Sequence, residues 1–355
     1  MIHGGDIYTE GLLKGRELLD YSSNINPLGL PKGFSDNIGE ALKNAVRYPD
    51  IKYRELIRNI KDYTGVEKGD VILGNGAAEV IDLSISCFKN ILIVVPSFVE
   101  YELDAKKWGS NIEYSYLSPK MEINYEDIIK KLSKMQALII GNPNNPNGSI
   151  INKKDFHEIL EFCEKEGKTI IIDEAFIEFT GNLEDSFINY TENYRCLFII
   201  RAITKFFAMP GVRFGYGISS DEKLTKAIAE KQNPWNINCF AEIAVKYSLN
   251  DKEYIKKSLQ WVKEERKFLL AELNKIQCIK NIFPTRANFI LCKLDNVNEE
   301  QVYNFCIKQG IIIRKAHNFK GLDQSFIRLA IKDRVSNEKL LKVLKGINIS
   351  NKRID

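Results

Sequence analysis

The feature that most restricts how this chain can fold is a series of short, almost uninterrupted apolar runs: Asp70–Leu73, Asn90–Val95, Ala137–Ile140, Thr169–Ile172, Cys196–Ile200 and Phe214–Ile218. A strand that is apolar at nearly every position cannot leave one face in water, so it must be covered on both sides. Stretches with helical spacing lie between the runs, as over Lys153 to Glu166, where Phe156, Ile159, Leu160 and Cys163 share a face. This alternation predicts an α/β architecture, a mostly parallel sheet between layers of helices. After Pro234-Trp235 the texture changes. A long charged helix from Asp251 to Lys275 leads to Pro284 and then to the strand-like Asn288–Cys292 and Gly310–Arg314. We expect a large domain over residues 32–250 and a smaller α+β domain made of residues 1–31 and 251–355.

Bulk properties exclude several classes. With 355 residues, 44% hydrophobic and 28% charged, the chain can bury a large core. It has no apolar run of about eighteen residues, the length a membrane helix needs. Its start, Met1-Ile-His-Gly-Gly-Asp, lacks the basic and apolar regions of a secretory signal, so a cytoplasmic location is expected. Seven cysteines without a Cys-x-x-Cys pair read as reduced thiols, not a disulfide framework or zinc site. His3, His157 and His317 are far apart in sequence, and no metal is expected. The net charge of +4 is spread along the chain, which suits a small anionic ligand better than nucleic acid.

The polar residues that end the runs carry the chemistry. Lys205 ends the run from Cys196 and stands eight residues before Arg213; Asp173 ends Thr169–Ile172; the run Ala137–Ile140 leads into Gly-Asn-Pro-Asn-Asn145-Pro. Ligands in open α/β sheets collect beyond the carboxyl ends of the strands, so an amine, a carboxylate and an amide converge there. Those groups suit the ring of pyridoxal phosphate, with Lys205 as a Schiff-base lysine. Gly74-Asn-Gly76-Ala-Ala78 follows the first strand and opens a helix, whose free N–H groups and dipole can hold a phosphate. Alone it reads as an ordinary strand-to-helix turn. Thr204 and Arg213, two phosphate donors beside the lysine, favour the anion site. Asp173 reads either as the partner of a protonated ring nitrogen or as a helix cap or structural ion pair. By themselves, Asn145 reads as turn chemistry and Phe98 as a stacking ring or core filler.

Taken together, Arg47-Tyr-Pro-Asp50, Gly74-Asn-Gly76, Asn142-Pro-Asn-Asn145-Pro-Asn-Gly148, Asp173-Glu-Ala-Phe176, Thr204-Lys205 and Pro210-Gly-Val-Arg213-Phe-Gly-Tyr216 resemble the fold-type I pyridoxal phosphate enzymes of the aminotransferase superfamily. The resemblance spans nearly the whole chain. A narrower one, to the branch shared by threonine-phosphate decarboxylase and histidinol-phosphate aminotransferase, and to the decarboxylases first, rests on His3-Gly-Gly-Asp-Ile7, Ser23-Asn-Ile-Asn-Pro-Leu-Gly29, Asn233-Pro-Trp235-Asn-Ile-Asn238, Arg286-Ala-Asn288-Phe, Asn318-Phe-Lys-Gly-Leu-Asp323 and Phe176.

The resemblance implies a mostly parallel, seven-stranded sheet in the large domain and a homodimer with shared active sites. It implies that Lys205 carries the cofactor and shuttles protons, Asp173 keeps the ring nitrogen protonated, Asn145 bonds the ring hydroxyl and Phe98 stacks on the ring. The cofactor phosphate would rest on the amides of Gly76 and Ala77, with Thr204, Arg213 and Tyr48 of the other subunit. Arg328, Arg314, His3, Asn24 and Asn145 would bind a phosphorylated substrate.

Three positions depart from the pattern: Ala202 where relatives carry Ser or Thr, Asn147 where they carry Thr, and Asp6 where the decarboxylases carry Asn. The expected reaction is decarboxylation of L-threonine O-3-phosphate for the cobalamin nucleotide loop, with transamination of the histidinol-phosphate type as the alternative. A noncatalytic sensor half of a transcription regulator comes last, because the lysine is kept and no DNA-binding domain fits before Tyr21.

Overall fold

A computed structural model describes residues 3–347; the outermost parts of the expected small domain, residues 1–2 and 348–355, lie outside the described residues. The strands in chain order are β1 (Leu19–Asp20), β2 (Asp70–Gly74), β3 (Asn90–Val95), β4 (Asn111–Tyr116), β5 (Ala137–Gly141), β6 (Thr169–Asp173) and β7 (Leu197–Ala202). They continue with β8 (Gly215–Ser219), β9 (Ile279–Ile282), β10 (Phe289–Leu294), β11 (Ile311–Ile312), β12 (Arg314–Lys315) and β13 (Phe326–Ala330).

Seven of them form one sheet in the order β2-β8-β7-β6-β5-β3-β4. All its pairings are parallel except the two made by β8, which runs against β2 and β7. The apolar runs dictate this placement. Successive side chains point to opposite faces, so along β6 Ile170 and Ile172 enter one core while Ile171 enters the other. Helices cover both faces. One of them, Lys153–Glu166, starts at the Asn152 cap, buries the four apolar residues of its stripe and ends at left-handed Gly167.

A second sheet, ordered β12-β13-β10-β9, is entirely antiparallel and packs over a separate core containing Ile290, Ile327 and Leu340. The helix Lys252–Leu273 joins the two regions, with Tyr254 and Val262 in the core of the large sheet and Leu269 and Leu273 in that of the small one.

The expected strand Gly310–Arg314 is in fact two. Ile311 and Ile312 pair in parallel with β1, whereas Arg314 and Lys315 join β13. The reason is the N-terminal segment: the Tyr21 N–H donates to the Ile312 carbonyl (2.7 Å) and the Tyr21 carbonyl accepts from Ala330 N–H (3.0 Å), so residues 19–21 are stitched between β11 and β13. That stitching carries Ser22, Ser23 and Asn24 to the carboxyl ends of the large sheet.

Candidate active site

A cavity of about 290 Å³ opens where the two sheets meet. Lys205, Thr204, Asp173, Asn145, Phe98 and Arg213 all line it, and so do His3, Asn24, Arg314 and Arg328. Of the expected residues, Gly76 sits just behind the wall and Tyr48 stands apart, 76% exposed and against the Trp235 ring at 4.6 Å.

One end of the cavity gathers hydrogen-bond donors and a guanidinium. Gly76, with φ +88°, precedes the helix Ala77–Ile85; Glu79 N–H donates to the Gly76 carbonyl, and no side chain caps the turn, which leaves the Ala77 and Ala78 N–H groups to a ligand. A Cβ at Gly76 would lie 2.3 Å from Arg213 Nη2, so only glycine lets the guanidinium close against this turn. Thr204 adds a hydroxyl beside it.

Asp173, the last residue of β6, accepts from Tyr101 Oη (2.7 Å) through one oxygen and from Ala175 N–H (2.9 Å) through the other. Burial pushes its carboxyl pKa up, and these two donors pull it back. A buried carboxylate with a neutral donor on each oxygen is matched to a cation arriving from the cavity. Tyr101 went unread in the sequence; its only signal is its place three residues after Phe98, on the helix Glu100–Lys107.

Lys205 follows β7 and projects into the cavity. Burial first, then the charges of Arg328 and Arg213, lower its ammonium pKa to about 8, so roughly a tenth is neutral, nucleophilic amine at pH 7, far more than for an unperturbed lysine.

The opposite end is cationic. Arg328 donates from Nη1 to Asn145 Oδ1 (2.6 Å) and from Nη2 to the Ser22 carbonyl (2.6 Å). Among the described residues its Nε has no partner and no carboxylate lies within ion-pair distance of it. Arg314 donates to the Lys315 carbonyl and to Asn318 Oδ1 and lies over the Phe319 ring. Burial lowers both pKa values, to about 9 for Arg328 and about 10 for Arg314. Asn24 is buried with Oδ1 unpartnered among the described residues, while His3 Nε2 is 3.0 Å from Glu100 Oε1.

The three departures have local explanations. Ala202 lines the cavity and offers no hydroxyl. Asn147 accepts from Asn144 Nδ2 and donates to the Met121 carbonyl and Ser149 Oγ, a buried set that a threonine could not complete. Asp6 turns away from the anion end, capping Thr9 through its backbone N–H and its hydroxyl.

Comparison with known proteins gives a consistent picture. The family model for aminotransferase class I and II matches residues 16–347. A protein of Caldanaerobacter subterraneus subsp. tengcongensis, provisionally named threonine-phosphate decarboxylase, is 40% identical over 350 residues, covering 97% of this chain and 93% of its own. The threonine-phosphate decarboxylase of Salmonella typhimurium is 30% identical over 352 residues, 97% of this chain and 96% of its own. A crystal structure described as histidinol-phosphate aminotransferase from Clostridium acetobutylicum is 56% identical, with a TM-score of 0.91 over 93% of this chain and 98% of that one.

Proposed function

The chain belongs to the aminotransferase class I and II family, and from that premise we propose that it is a pyridoxal 5′-phosphate-dependent lyase that decarboxylates L-threonine O-3-phosphate to aminopropanol phosphate. The observation that carries the reading is the cationic end of the cavity, where Arg328 has no carboxylate partner among the described residues and Arg314 stands beside it. Two buried guanidiniums facing one small cavity call for a ligand with a multiply charged anionic group. The His3-Gly4 segment, part of the decarboxylase-like motif, also lines that cavity.

The residues fit the cofactor. The uncapped helix turn at Gly76 and Ala77, with Thr204 and Arg213, would hold its phosphate; Asp173 would pair with the ring nitrogen, and Phe98 would pack on the ring. Asn145 has its Oδ1 taken by Arg328, which leaves its Nδ2 to donate to the ring hydroxyl. When bound, the cofactor supplies an electron sink for the pair released when a bond to the substrate Cα breaks.

The chain decides which bond that is. Arg328 and Arg314, with His3 and Asn24, grip the phosphate and so set the rotation of the substrate about Cα. Held this way, the substrate would lose its carboxyl carbon as CO2, the electron pair of the broken bond passing to the sink that the cofactor would supply. Lys205 would return a proton to Cα. The walls made by Phe98, Phe176 and Phe319 keep bulk water from competing.

The same reading takes the working unit to be a cytoplasmic homodimer. Tyr48, exposed and outside its own cavity, would in that unit meet the cofactor phosphate of the second copy. Sedimentation as a single-chain species would count against that.

Transamination is the second reading, favoured by the 56% identity to the Clostridium acetobutylicum structure. Holoenzyme incubated with L-threonine O-3-phosphate should release CO2 stoichiometrically without an added keto acid. No CO2 together with a requirement for 2-oxoglutarate would reverse the choice.

A further inference from the structure

We infer that Asp20 is a positioning residue for the anionic end of the cavity: acting through Ser22, it fixes both the Gly4-Gly5 turn and the guanidinium of Arg328. The inference rests on the proposed reading of that end as a phosphate pocket.

Asp20 ends β1 and collects the backbone and hydroxyl donors of Ser22 and Ser23. Its Oδ1 accepts from Ser22 N–H (2.8 Å), Ser22 Oγ (2.7 Å) and Ser23 N–H (3.1 Å), and its Oδ2 accepts from the Ser23 hydroxyl. An ionised carboxylate only accepts, so the Ser22 hydroxyl must spend its one proton on Asp20. Its lone pairs are then committed to accepting, and the Gly5 N–H donates to Ser22 Oγ at 2.7 Å. The relay therefore runs in one direction, from Gly5 through Ser22 to Asp20.

The other side of Ser22 faces Arg328, whose Nη2 donates to the Ser22 carbonyl at 2.6 Å. Gly4 lies against this same carbonyl: a Cβ there would be 2.0 Å from the oxygen and 3.4 Å from Arg328 Nη2. One fully buried serine thus joins the turn that delivers His3 to the cavity and the arginine that faces the ligand, and Asp20 sets its orientation. The carboxylate has an electrostatic part as well. Burial lowers the pKa of Lys205, Arg328 and Lys332, and Asp20 opposes that lowering in all three.

The test uses cofactor-loaded wild type, Asp20→Ala and Ser22→Ala, the last cutting the relay while leaving the carboxylate in place should Asp20→Ala fail to fold. Amide hydrogen exchange at Gly5 and calorimetric titration with inorganic phosphate are measured, and cofactor affinity serves as control. Both variants should show faster Gly5 exchange and phosphate affinity weaker by about tenfold, the scale of one or two hydrogen bonds, with cofactor affinity unchanged in Ser22→Ala, which keeps the carboxylate that acts on Lys205. Wild-type exchange at Gly5 in either folded variant overturns the inference. So does faster exchange with phosphate affinity intact, which would make Asp20 structural only. Wild type that takes up no phosphate removes the anion-pocket reading itself, and the role of Asp20 falls with it; the wild-type titration tells that failure from the others.

Discussion

Arg314 and Arg328 face each other as a registered pair across the antiparallel β12–β13 ladder, both buried and both open to the same cavity. Like charges directly opposite on a sheet are destabilising. Arg314 is the second cause, after burial, of the lowered pKa of Arg328. The ligand-free pocket therefore carries a cost that a bound anion removes.

Inorganic phosphate should raise the melting temperature of the holoenzyme, in which the cofactor's own phosphate cup is filled. A ligand at a hundred times its dissociation constant contributes about 2.7 kcal/mol. In Arg328→Lys the rise should largely vanish, because an ammonium cannot keep both the Asn145 and the Ser22 contacts and still present a fork to the ligand. An equal rise in the variant would show that phosphate binds elsewhere.

Lys205→Ala should leave no chromophore that borohydride can trap. In the wild-type apoprotein, the amine is protonated below its pKa of about 8, so the rate of covalent cofactor capture should climb with pH and level off above that value. Arg328→Met removes a like charge and should move the midpoint to higher pH. A trapped chromophore in Lys205→Ala, or a capture rate independent of pH, would contradict this assignment.

Much of this was legible in the sequence because the residues concerned end apolar runs. Asp173, Asn145 and Lys205 stand where β6, β5 and β7 release the chain, and strand ends in an open sheet converge. What stayed hidden depends on contacts between distant segments. β4 reads Asn-Ile-Glu-Tyr-Ser-Tyr, too polar for a buried strand, because it forms an edge of the sheet. The split between β11 and β12 follows from pairing with residues almost 300 positions away, at β1. Tyr101 looks like helix filler until β6 brings Asp173 against its hydroxyl. Asp20 looks like a turn former until Ser22 is seen joined to both Gly5 and Arg328.

Tyr101→Phe should weaken cofactor binding by roughly fivefold to tenfold, a part of the about 1.5–3 kcal/mol that a hydrogen bond to a charged group contributes, because the hydroxyl acts on the cofactor only through Asp173. Without the hydroxyl, burial acts on Asp173 with one donor fewer to oppose it, so its carboxyl pKa rises further and the loss should grow as the pH falls. Equilibrium dialysis at pH 6 and pH 8 measures both effects. Affinity within twofold of wild type at both values would mean that the Ala175 N–H alone suffices to hold the carboxylate.

Glu178 supplies a stability test away from the chemistry. It lies in the short turn Ile177–Thr180 behind the cavity, with Oε2 unpartnered among the described residues, and burial raises its pKa from 4.5 to about 7 against the pull of Arg201. Arg201 is already engaged by Glu174 at 3.1 Å. Between pH 4.5 and 7 the folded state holds a proton that the unfolded state has released, so this group's contribution to stability falls as the pH rises through that window and stays low above it. At about 1.4 kcal/mol per pKa unit the loss is at most about 3.5 kcal/mol. Glu178→Gln carries no charge to desolvate and fills the same space. It should melt at nearly the wild-type temperature at pH 5 and several degrees higher at pH 8. Equal stabilisation at both pH values would place the effect in packing, and destabilisation at pH 8 would mean that the ionised carboxylate is held by Arg201 after all.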